Sequence, residues 1–111
     1  MDLKVQDIAQ GAVVGLEGEI DLYHSPSLKQ KLTEVAKKKP ACVILNFSAV
    51  KYIDSSGLAT IIDLYQQMKA YGGKLALSNL SVPVRSVFEV ARLHQVFVIC
   101  DSEEQAVEKL K

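Results

Sequence analysis

The sequence predicts an α/β fold. It should hold a mixed central sheet of about five strands, opened by an antiparallel hairpin and continued by alternating strands and helices, with four helices. Three observations carry this expectation. The chain has 111 residues, close to the usual domain size of about 100–150, so residues 1–111 are read as a single domain. Apolar residues near the start recur at every second position, whereas later segments recur at every third or fourth. Short apolar runs alternate with those helical stripes, and such alternation demands crossover connections.

The elements follow in order. Leu3 and Val5 alternate with Lys4 and Gln6, Gln10-Gly11 signals a turn, and Ala12, Val14 and Leu16 continue at a spacing of two. This is the hairpin. Ser25-Pro26 supplies an N-cap type and a proline suited to a first helical position. Leu28, Leu32, Val35 and Ala36 then form one apolar stripe, closed by Lys37-Lys38-Lys39 and stopped by Pro40. The three lysines read as a helix end rather than a binding patch. Cys42 to Phe47 is a nearly continuous apolar run, which suits a central strand covered on both faces. Leu58, Ile61, Ile62, Tyr65 and Met68 make the strongest helical stripe, ended by Gly72-Gly73. The Leu58/Ile61/Ile62/Tyr65 face is expected to pack around Ile44 and Leu45. Lys74–Ser78 is a strand, Val84, Val87, Phe88 and Ala91 a helix, Val96–Ile99 a strand, and Ala106, Val107 and Leu110 a last helix.

Composition removes several functions. Lys and Arg number 13, as do Asp and Glu, so the basic excess usual in nucleic-acid binders is missing and no direct nucleic-acid partner is expected. No apolar run approaches the roughly 20 residues that span a bilayer, so no membrane partner is expected. Met1-Asp2-Leu3-Lys4 lacks the start of a secretory signal. Two cysteines, Cys42 and Cys100, are too few for a disulfide framework. Cys42 reads as a buried, inert thiol, and Cys100, at a strand end, as the more accessible one. A cytoplasmic location is expected.

The chemistry-bearing patterns are mostly absent. His24 and His94 have no partner at metal-ligand spacing, so no metal site is expected, and His24 reads as a loop residue. The Gly-x-Ser-x-Gly elbow fails because Ile53 stands two before Ser55. The phosphate-loop and dinucleotide fingerprints fail too. Neither a catalytic set, nor a cofactor, nor a small-molecule substrate is expected. One segment stands out: Tyr52-Ile53-Asp54-Ser55-Ser56-Gly57-Leu58, between the central strand and the strongest helix. Asp54 or Ser55 would cap that helix. Two hydroxyls, a carboxylate and a glycine exceed what a cap needs, and a helix N-terminus attracts phosphate. Physics alone leaves a plain cap and a modified serine both open.

These residues carry a resemblance. Asp54-Ser55-Ser56-Gly57-Leu58 after an apolar strand, Gly18-Glu19-Ile20-Asp21 before Leu28 and Leu32, and Tyr71-Gly72-Gly73-Lys74-Leu75 before a strand occur in a specific order. Together they resemble the STAS domain of bacterial anti-sigma factor antagonists over essentially the whole chain. The resemblance implies a STAS-type fold in which Ser55 is the phosphoacceptor and Asp21 lies near it. Asp54 would orient Ser55, Ser56 would be a second cap or a spare hydroxyl, and Gly57 would let a kinase approach closely. Ala59 departs from the pattern, standing where many members have glycine.

The implied function is partner switching. The unphosphorylated form would bind an anti-sigma factor that is also a serine kinase and release its sigma factor or other target. Phosphorylation at Ser55 would end binding, and a serine phosphatase would reset it. The protein would be no enzyme and need no cofactor of its own. The alternative within the same fold is a STAS subunit of a transporter or signalling scaffold without a phosphorylation cycle. A receiver-like domain using Asp54 would need a neighbouring acidic pair for Mg²⁺, and none ends the early strands.

Overall fold

In a computed structural model, which describes residues 3–111, nine regular elements alternate along the chain. Strand β1 (Lys4–Ile8) turns back at Gly11 and pairs antiparallel with β2 (Gly11–Ile20). Helix α1 (Ser25–Lys37) leads to β3 (Cys42–Ile53), α2 (Ser55–Ala70) to β4 (Lys74–Ser78), and α3 (Val82–Val90) to β5 (Val98–Cys100). A 3₁₀ turn at Leu93–Gln95 precedes β5, and α4 (Glu103–Lys109) closes the fold. The sheet order is β1-β2-β3-β4-β5, with β2 to β5 mutually parallel. No helix among the described residues is long and apolar enough to cross a membrane.

This order dictates where the helices go. Each parallel strand is added beside its predecessor in one direction, and crossovers are right-handed, so every crossover helix falls on the same face. Val43, Leu45 and Phe47 of β3 point to that face and meet Leu28 and Leu32 of α1, Ile61 and Leu64 of α2, and Phe88 of α3. Cys42 and Ile44 point the other way, into a smaller cluster with Ala76, Cys100, Ala106 and Leu110 under α4. The expected packing of α2 on Ile44 is therefore corrected. Strand alternation gives Leu45 to α2 and Ile44 to α4.

The α2 stripe is also rotated from expectation. Leu58, Ile61, Leu64 and Met68 are buried, while Ile62 and Tyr65 sit half-buried at its margin. Tyr65 stands edge-on to Phe97 there, with ring centroids 5.3 Å apart. Two strands run further than the apolar pattern suggests. β2 and β3 continue to Ile20 and Ile53, across register irregularities between Gly15 and Glu17 and between Gly18 and Glu19. Such irregularities break strict alternation and hide a strand from a period-two reading. The last strand is shifted as well, beginning at Val98 because Val96 belongs to the preceding turn. Cys100 is buried, against the expectation that it would be the accessible thiol.

Candidate functional site

Register builds the site. Ile20 and Ile53 are partners at the carboxyl ends of two adjacent parallel strands, so the residues that follow them, Asp21 and Asp54, emerge side by side. Both chains turn at once into helices, and the N-termini of α1 and α2 converge on the same end of the sheet. Open α/β sheets characteristically place functional residues beyond the carboxyl ends of their strands. The Asp54 amide donates to the Ile20 carbonyl at 3.1 Å, extending the ladder into the first residue of the turn.

Asp54 is the N-cap of α2, with extended backbone. Its Oδ1 accepts from the Gly57 amide at 3.0 Å and from the Ser56 hydroxyl at 2.6 Å. Its Oδ2 accepts from the Leu22 amide at 3.2 Å, tying the β2–α1 turn to the β3–α2 turn. The Ser56 hydroxyl, assisted by the Gly57 amide, holds the Asp54 carboxyl below its ordinary range, with burial working the other way. Asp54 thus caps α2 as the sequence suggests.

Asp21 has a partner that the sequence reading passed over. Its Oδ1 accepts from the His24 amide at 3.0 Å, and His24 Nδ1 lies 2.8 Å from the same oxygen. The His24 amide is the main cause of a lowered Asp21 pKa; burial opposes it, and the His24 ring reinforces it. His24 itself is the N-cap residue of α1, without a side-chain cap bond, and Ser25 is the first helical residue rather than the cap. The Ser25 hydroxyl donates to the Asp21 carbonyl at 2.7 Å and lies 3.3 Å from the Ser56 hydroxyl. With both hydroxyl protons already committed to Asp21 and Asp54, that second approach is a packing contact between the two helix starts.

The two serines differ sharply. Ser56 is half-buried and its hydroxyl is engaged, whereas Ser55 is exposed and its hydroxyl makes no hydrogen bond among the described residues. Gly57 corrects an expectation. It is buried, and a Cβ there would lie 2.5 Å from the Ile20 carbonyl oxygen and 2.7 Å from Ile53 Cγ1. The glycine lets α2 seat on the strand ends and does not shape an approach surface. Ala59 is exposed within the regular helix α2.

Around this polar centre lie apolar side chains. Leu22 and Tyr23, in the β2–α1 turn, are 75% and 87% exposed. Their signal was available in the sequence, since an apolar pair in a turn has no packing duty. The structure thus brings Asp21, Asp54, Ser55, Ser56 and Gly57 to one end of the sheet and adds Leu22, His24 and Ser25.

A family model for the STAS domain matches residues 2–106. The anti-sigma-B factor antagonist of Bacillus subtilis is 33% identical over 95 residues, covering 86% of each chain. The unphosphorylated form of the anti-sigma factor antagonist SpoIIAA superposes with a TM-score of 0.83 at 23% identity, covering 98% of this chain and 96% of that one. The phosphorylated form of SpoIIAA, a Bacillus cell fate determinant, gives 0.75 at 22% identity, covering 99% and 100%. With the parallel strand ends, the Asp-Ser-Ser-Gly helix start and these matches in agreement, the chain belongs to the STAS domain family and is similar to its anti-sigma factor antagonists.

Proposed function

We propose that this protein is an anti-sigma factor antagonist switched at Ser55. In its unphosphorylated form it binds an anti-sigma factor that is also a serine kinase, and the sigma factor or other target is released. The kinase transfers a phosphoryl group from ATP to the Ser55 hydroxyl, and a serine phosphatase removes it by hydrolysis. The observation that carries this reading is the contrast between the exposed, unengaged Ser55 hydroxyl and the neighbouring Ser25 and Ser56 hydroxyls, which donate to the Asp21 carbonyl and to Asp54. A serine kinase reaching this helix start meets one unengaged serine hydroxyl of the three nearby, Ser25, Ser55 and Ser56. Kinship with proteins named anti-sigma factor antagonists supports the partner class. The existence of a phosphorylated form of SpoIIAA supports the modification.

Asp21, Asp54, Ser56 and Gly57 act as the scaffold of the switch. Asp54, Ser56 and Gly57 fix the first turn of α2 and Asp21 fixes the adjoining start of α1, so that Ser55 projects from a rigid support. The domain itself supplies no catalysis, cofactor or metal, since the kinase and phosphatase bring their own. The test uses the serine-kinase anti-sigma factors encoded in the source genome, each purified and incubated with this protein and ATP. Mass spectrometry should place one phosphate on Ser55, and Ser55→Ala should still bind while resisting modification. Ser55→Asp should bind at least tenfold more weakly. Phosphate on Ser56, or equal binding by the Ser55 phosphoprotein, would overturn the assignment.

A further inference from the structure

Both cysteines lie on one face of the sheet and under one cover. Cys42 opens β3, Cys100 ends β5, and both are buried. With Val13, Ile44 and Ala76 they form the smaller apolar cluster, which α4 closes through Ala106 and Leu110. Helices α1, α2 and α3 pack into the main cluster on the opposite face. Among the described residues, α4 is thus the helix that shields the thiols. Its polar ties are few. Ser102 caps it and the Gln105 side chain accepts from the Asp101 amide, but both bonds are local. One side-chain hydrogen bond among the described residues ties it to another strand, from the Asn46 amide to the Glu103 carboxylate. Its apolar anchor is also slight. Of its seven residues only Ala106 is buried, joined by Leu110 at the C-cap, whereas α2 buries Leu58, Ile61, Leu64 and Met68. Seven residues fall short of the ~12–15 that a helix needs to persist alone in water. Elements with so little buried apolar contact open at a lower free energy than the whole protein.

We propose that α4 is a cover that detaches as a unit while the sheet and α1–α3 stay folded, and that Cys42 and Cys100 are thiol-modification sites exposed by that opening. Docked, the cover keeps both thiols protonated, because burial raises their pKa. Cys42 also donates to the Gln10 carbonyl at 2.9 Å. Once uncovered, each thiol reacts with a low-molecular-weight disulfide. The thiol gives its proton to water and the thiolate attacks one sulfur of the disulfide. A new S–S bond forms as the old one breaks, and the second sulfur leaves as a thiolate. The adduct then holds the cover open. Ala76 and Ala106 are fully buried, so helix and sheet meet through methyl groups, and an added substituent overfills that contact.

The test follows labelling of the full chain in low urea by an aromatic disulfide, dithionitrobenzoate, that releases a coloured thiolate. Wild type is compared with the single-thiol variants Cys42→Ala and Cys100→Ala. Each thiol should label slowly, at a rate that rises with urea far less steeply than global unfolding does, because opening exposes less surface. Leu110→Ala should speed labelling at least tenfold. Glu103→Ala, which spares the apolar cluster, should speed it at least threefold and carries the test should Leu110→Ala not fold. Ile61→Val, in the main core, should lower the urea midpoint yet leave the labelling rate unchanged, because the open form keeps that core. In the labelled protein, amide NMR signals of Glu103–Lys109 should shift while those of β2 and α2 stay in place. Labelling with the urea dependence of global unfolding, or acceleration by Ile61→Val in proportion to its lost stability, would refute the separate cover. Labelled protein with wild-type α4 signals would refute the trapped opening.

Discussion

Replacing Gly57 with alanine should unseat the helix that carries Ser55. The added Cβ would stand 2.5 Å from the Ile20 carbonyl oxygen, about 0.9 Å short of ordinary van der Waals contact. Two further carbons, Ile20 Cγ2 and Ile53 Cγ1, would be 2.7 Å away. The nearest atom is backbone in a parallel strand and cannot rotate aside, so the first turn of α2 must lift. Lifting strains the hydrogen bond that the Asp54 amide donates to the Ile20 carbonyl, now 3.1 Å, and the one that the Leu22 amide donates to Asp54 Oδ2. Overpacking of this kind costs about 1–3 kcal/mol, and a weakened hydrogen bond adds about 0.5–1.5 kcal/mol. Alanine's helix propensity returns at most about 1 kcal/mol, so the steric cost wins. Urea unfolding should show a net loss of about 1–3 kcal/mol, and amide NMR shifts should move at Leu22, Asp54 and Ser55. A variant within about 0.5 kcal/mol of wild type, with those amides in place, would refute the claim that close packing requires this glycine.

Further outcomes follow from the same structure. Ile61→Ala, at a fully buried site, should cost about 2–5 kcal/mol by denaturant unfolding, and Ile62→Ala clearly less, since Ile62 is half-buried. Asp21 and Asp54 both have lowered pKa values in the folded protein, so each stabilises the fold fully above the unfolded carboxyl value near 3.8. That contribution disappears as the pH falls through the lower folded value. The gap in urea midpoint between wild type and Asp54→Asn should therefore be present at pH 6 and close below pH 4; a gap independent of pH would contradict the assigned cause. Burial raises the pKa of both Cys42 and Cys100, so a thiol reagent should react far more slowly with native than with unfolded protein. Rapid labelling of Cys100 in the native state would contradict its burial.

Much of the fold was legible because its signals are local. The Ser25-Pro26 start of α1, the Asp54 cap of α2 and the glycines after α2 each act within a few residues, and the elements begin and end close to them. The register irregularities were not legible, because they depend on how β2 and β3 slide against each other. They carry both strands four to six residues beyond the apolar alternation, and without them Ile20 and Ile53 would not end side by side. Which face of β3 meets α2 was equally hidden, since an apolar run buried on both sides gives no alternation to read. In the site, Asp54 was readable as a local cap. The His24–Asp21 pairing spans only three residues, but a lone histidine before a helix has too many ordinary uses to signal it.

The arrangement explains how one charged group could change the surface without changing the fold. The Ser55 side chain makes no hydrogen bond among the described residues, so a phosphoryl group there would break nothing internal. It would bring about −1.5 to −2 charges to the first turn of α2. The helix dipole offsets exposed negative charge there by only about 0.3–1 kcal/mol. Asp54 cannot turn away to relieve the repulsion, because both of its oxygens are held, by Leu22 on one side and by Ser56 and Gly57 on the other. A phosphate there would therefore point outward, away from Asp54. Any surface docked on that exposed dianion would strip water from the charge and would have to supply a partner in return. The hydrogen-bonded base would keep such a modification from being absorbed by local rearrangement.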